Sequence, residues 1–121
     1  MDRLFTLDEA RALMPSIIED ARKLIAARAD LAEIAFDRDT PGGSRLGGLP
    51  ELKAAEARIQ EIVSAWSEQG VEVKGIAPLL LDFPSVLDGV SVRLCWIEPE
   101  PELGWYHRSE IGFPGRRPLP S

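Results

Sequence analysis

The residue types best suited to chemistry collect in one stretch. Asp82 to Arg117 reads DFPSVLDGVSVRLCWIEPEPELGWYHRSEIGFPGRR and holds the only His, the only Cys, the only Tyr and all but one of the Trp residues. His107 titrates near neutrality, so it suits general acid–base work or metal ligation. Asp82 would supply a carboxylate beside it, and Arg116 a planar fork for a carboxylate or phosphate. These three form the candidate ligand site. Cys95, with Arg93 or Arg108 nearby, is the candidate reactive thiol. Each has a bland counterpart: a core-edge histidine satisfied by a carbonyl, an inert buried thiol, arginines paired with the acids of Glu98–Glu102. One Cys and one His exclude a four-cysteine or two-Cys, two-His zinc site within one chain. A mononuclear site from His and carboxylates remains chemically open, with no metal or cofactor specified.

The elements that must position these residues follow from periodicity. Thr6-Leu7-Asp8-Glu9 has capping-box spacing. Ala10, Met14, Ile17, Ala21, Leu24, Leu31 and Ala35 then recur at helical steps, predicting a helix of about thirty residues. Pro15 sits early in it and either bends it or starts the helix proper. Asp37 to Gly48, DRDTPGGSRLGG, is a loop rich in Gly. It lacks the Lys-Ser/Thr of a phosphate-binding loop. Leu52, Ala55, Ile59, Ile62 and Trp66 predict a second helix of about twenty residues, opened by Pro50 and closed by Gly70. It is too short to cover the whole stripe of the first, so the β region or a second copy of the chain is the expected cover.

From Val71 the period changes to two. Val71 to Lys74 reads as a short strand, Leu79 to Leu81 as a buried strand ending at Asp82, and Val90 to Ile97 as the clearest strand. Asp88-Gly89 is a hairpin turn. With Ile97 opposite Gly104, Trp96 faces Trp105 and Leu94 faces His107. Val92, Leu94, Trp96, Trp105 and His107 then share one face, and Arg93, Cys95, Tyr106 and Arg108 the other. A slip of one residue would reassign the second set. The expected fold is α+β: a long antiparallel helical hairpin followed by a small antiparallel β-meander and a coil tail. It forms one domain over 1–121, with the hairpin at 6–70, a mobile loop at 37–49 and the β region and tail at 71–121.

A chain of 121 residues with 45% hydrophobic and 28% charged residues suits one modest soluble core. The net charge of −6 argues against nucleic acid and anionic membrane surfaces. No apolar run approaches the ~20 residues of a membrane span. The acidic N-terminal turns and the lone Cys suit a reducing cytoplasm.

The combination F-T-x-x-E-A-R-x-L-x-P (Phe5 to Pro15), D-F-P (Asp82 to Pro84), D-G-x-x-V-x-L-C-W (Asp88 to Trp96), W-Y-H (Trp105 to His107) and G-F-x-G-R-x-P-L (Gly112 to Leu119) resembles a bacterial family of small proteins classed as a domain of unknown function. Members carry L-G-E after the C-W segment, where this chain has Ile97-Glu98-Pro99-Glu100. The resemblance implies that Asp82, Cys95, Trp96, His107, Gly112 and Arg116 belong to the family signature, and it implies no activity. Two functions are then expected to compete. One is a homodimeric interaction or assembly module without catalysis. The other is a small-ligand- or metal-binding protein, enzymatic or not, with its site near Asp82, His107 and Arg116.

Overall fold

The computed structural model describes residues 3–120. Two α-helices, α1 (Leu7–Asp37) and α2 (Leu49–Glu68), precede five strands: β1 (Glu72–Ile76), β2 (Leu79–Leu87), β3 (Val90–Ile97), β4 (Trp105–Arg108) and β5 (Arg117–Pro118). The strands form one antiparallel sheet in the order β1-β2-β3-β4-β5. The fold is α+β, as the change of period predicts.

The chain divides into two compact units, Met1–Ile17 with Trp66–Ser121, and Ile18–Ala65. In the second unit the two helices run antiparallel. Ile34 and Arg38 line one cleft with Leu49 and Leu52, and Asp20 and Lys23 line another with Arg58 and Ile62. Of the predicted stripe, Ala21 and Leu24 are buried, but Leu31 is only half-buried and Ala35 is exposed; past Leu24 the buried positions are Ala27 and Ile34.

The first unit holds the sheet and the start of α1. That start is a reciprocal cap: Thr6 N–H donates to Glu9 Oε1 at 2.8 Å and Glu9 N–H donates to Thr6 Oγ1 at 3.1 Å. The helix begins at Leu7, and Pro15 lies inside it at an exposed position. Replacing Thr6 with alanine is expected to lower stability by about 1 kcal/mol, read as a fall in the urea midpoint at unchanged m-value. Thr6→Ser should keep most of it.

Phe5 joins the capped segment to the sheet. Its ring meets Phe83 edge-on at 5.3 Å, its N–H donates to the Pro84 carbonyl at 2.7 Å, and its carbonyl accepts from Ser85 Oγ at 2.6 Å. These contacts explain why β2 runs through Pro84 rather than ending at Asp82. In an antiparallel strand a residue's N–H and C=O point to the same side. The Pro84 carbonyl points to Phe5, so its missing N–H lies on that side too, and no bond to β3 is lost. Asp88 (φ 52°) and Gly89 (φ 78°) make the predicted primed turn between β2 and β3.

Two features depart from the expected pattern. The tail is not all coil: a 3₁₀ turn (Phe113–Gly115) and β5 close the sheet. The β3–β4 register is also shifted by one residue. Cys95 faces Trp105, Leu94 faces Tyr106 and Arg93 faces His107. The connection is shorter than expected because Glu100 folds back on Ile97. The Ile97 carbonyl accepts from Glu100 N–H at 2.9 Å, and Ile97 N–H donates to Glu100 Oε1 at 2.8 Å. The Glu100 carbonyl accepts from Trp96 Nε1 at 2.8 Å. Leu103 is buried behind this turn, so the returning strand is set one residue earlier.

The candidate site at Asp82, Cys95 and His107

The shifted register changes which residues meet. Leu81, Phe83, Leu94 and Trp96 are buried on the face that receives Phe5. Asp82, Cys95, Trp105 and His107 share the opposite face. Asp82 is the direct neighbour of Cys95 across β2 and β3, and His107 is its diagonal neighbour on β4. The expectation that Cys95 and His107 face opposite ways, and that Trp105 joins Trp96, is therefore overturned. Hydrophobic alternation could not detect this, because both faces of β3 carry buried side chains.

Three consecutive strands thus bring one carboxylate, one thiol and one imidazole together. One ligand atom of each lies within 4.8 Å of the others, and all three residues are buried. His107 Nε2 stands 3.3 Å from Asp82 Oδ2. His107 Nδ1 lies 2.8 Å from the Arg108 carbonyl oxygen. A carbonyl can only accept, so Nδ1 carries a proton and donates. Nε2 is then either protonated as well, facing the carboxylate as an imidazolium, or a bare lone pair aimed at an oxygen. Asp82 Oδ1 is buried and has no hydrogen-bond partner.

Burial pushes the Cys95 thiol up to about 12, with the Asp82 charge acting in the same direction and Arg116 opposing it. In the free protein the thiol is therefore protonated at neutral pH, which makes it a weak nucleophile. Arg116 reaches the cluster from the side of Cys95. Its Nη2 donates to the Cys95 carbonyl at 3.2 Å and to Glu100 Oε1 and Oε2 at 2.7 and 3.0 Å. Its guanidinium carbon lies 4.9 Å from the Trp105 ring centre and 5.0 Å from that of Phe113. Asp82 and His107 therefore meet directly, whereas Arg116 adjoins them through Cys95. The expected pairing of an arginine with the acids of Glu98–Glu102 is thus made by Arg116 and Glu100; the alternation of acid with proline gives no sign of the fold-back that turns this carboxylate inward.

A cleft of about 240 Å³ opens beside the pair, with Asp82 and His107 as its most buried lining residues and Lys74, Arg93, Ser109 and Phe113 around them. Arg93 is held by Glu72 at 2.8 Å and by Ser109 Oγ at 2.9 Å. Partial burial raises the Glu72 carboxyl, but Arg93 and Lys74 outweigh it and hold the group below its ordinary value.

No curated protein and no solved structure matches the chain. No described helix is long and apolar enough to cross a membrane. Residues 3–119 match the model of a family described as "Uncharacterized conserved protein (DUF2203)", and the chain belongs to that family.

Proposed function

We propose that this protein binds a divalent transition metal through Asp82, Cys95 Sγ and His107 Nε2. The buried Asp82 carboxylate carries the reading: one oxygen faces a ring nitrogen at 3.3 Å and the other has no partner beyond the adjacent Cys95 thiol. A carboxylate taken out of water in this way calls for a cation beside it. A tetrahedral zinc ion with ordinary Zn–N and Zn–O bonds separates its N and O ligands by about 3.4 Å, close to the distance present. The Nδ1–H bond to the Arg108 carbonyl is the outer-shell contact that aims a ligating imidazole. Mixed N, O and S donors favour zinc over magnesium or calcium, which take oxygen ligands. Metal binding would displace the thiol proton, and Arg116 would help hold the thiolate. Three protein ligands would leave a fourth position for water or a substrate atom.

The test is a zinc titration of chelator-treated, full-length protein. One equivalent should bind, and free zinc at a hundred times Kd should raise the melting temperature by roughly 10 °C. Cys95→Ser should weaken binding tenfold or more while keeping the far-UV circular dichroism. If wild type binds zinc no more tightly than a Cys95→Ser/His107→Gln variant, Asp82 and His107 are a structural ion pair and the metal reading falls.

A homodimer is the second reading. It rests on the loop end of the helical hairpin, where Phe36 is 86% and Leu49 56% exposed. Such apolar exposure suits a second copy of the chain. Sedimentation velocity at micromolar concentration should give a dimer that Phe36→Ser weakens; a stable wild-type monomer removes the reading.

A further inference from the structure

A separate cleft lies on the face of the sheet away from Asp82 and His107. The register sets Val92 beside Arg108 and Tyr106 beside Arg117. Cross-strand partners, and residues two apart on one strand, share a face. Val92, Tyr106, Arg108 and Arg117 therefore project together, and they line a cleft of about 490 Å³. That volume falls in the range of small-molecule sites.

Its wall has two chemical parts. Val90 and Ile111 are 45% and 51% exposed and make an apolar surface over the buried Val92. Arg108 and Arg117 bring two guanidiniums to one cleft in a chain of net charge −6. Neither is firmly paired. Arg108 lies 3.8 Å from Glu110 with both side chains exposed, a contact of little energy. Arg117 has no side-chain ion pair or hydrogen bond among the described residues, and neither has the Tyr106 hydroxyl. Asp88 is the one acid in the lining and opposes a second negative charge on an occupant.

We infer that this cleft binds a small amphipathic monoanion: a carboxylate, or a singly charged phosphate monoester, carrying a short aliphatic chain. Arg108 and Arg117 grip the head as charge-assisted donors, Tyr106 adds a hydroxyl, and Val90 and Ile111 cover the chain. The inference does not depend on the metal centre, which uses other residues on the opposite face.

The test is calorimetry on the full-length protein with hexanoate and hexyl phosphate, against hexanol and acetate. At least one of the two amphipathic anions should bind tenfold or more tightly than both hexanol and acetate, and the tighter one identifies the head group. Arg117→Ala and Arg108→Ala, both at exposed positions, should each weaken that binding about tenfold, with Arg117→Lys in between. If hexanol binds as well as the anions, or if neither alanine variant changes the affinity, the inference is wrong.

Discussion

Phe83→Ala is expected to remove about 3–5 kcal/mol of stability, a large fraction of the ~5–15 kcal/mol that holds a small domain folded. Phe83 is fully buried at the centre of β2, where it sits between the sheet and the segment that starts α1. Truncation removes the buried ring area, leaves a cavity, and deletes the edge-to-face contact with Phe5 at 5.3 Å. That aromatic contact alone is worth about 0.5–1.5 kcal/mol beyond its area. Phe83→Leu should cost less, because it keeps most of the volume. A double-mutant cycle with Phe5→Leu would isolate the ring–ring part, since the two side chains touch and their effects should not add. Urea denaturation measures both variants. A loss below about 1 kcal/mol for Phe83→Ala would mean that the α1 start does not depend on this contact.

The second large effect is expected at Glu100. Its carboxylate accepts two bonds from Arg116 and one from the Ile97 backbone, and the two side chains are only 19% and 14% exposed. Glu100→Ala would strand a guanidinium whose Nε already has no partner. Removing one member of a buried pair costs about 3–5 kcal/mol; the residual exposure here argues for the lower end. Glu100→Ala/Arg116→Met should be closer to wild type than Glu100→Ala alone, because no uncompensated charge remains. Thermal melts of the three variants decide it. Equal losses in the single and double variants would mean that the pair is solvated and that Glu100 acts only through the Ile97 turn.

The same residue explains the main difference between expectation and fold. Glu98 to Glu102 alternates acid and proline, and nothing local marks a fold-back there. In the folded chain Glu100 bonds to Ile97 and Trp96 and turns its carboxylate toward Arg116, sixteen positions further along the chain. That tightening shifts the β3–β4 pairing by one residue. Because side chains alternate with a period of two, the shift moves His107 and Trp105 to the face of Cys95.

Much of the frame is decided locally. The capping box at Thr6 and Glu9, the helical stripe from Ala10 to Leu24, and the hairpin turn at Asp88-Gly89 each rest on a few neighbouring residues. The sequence alone determines these elements, the α+β class and the chemical inventory of one Cys and one His. It also singles out Asp82, Cys95, His107 and Arg116 as site candidates. The tertiary structure decides how they combine. Whether an imidazole meets a carboxylate across three strands depends on register, and register depends on contacts between residues far apart in the chain. Alternation is a weak guide there, because β2 and β3 bury side chains on both faces. A buried polar cluster on one face and an apolar core on the other produce the same run of buried positions.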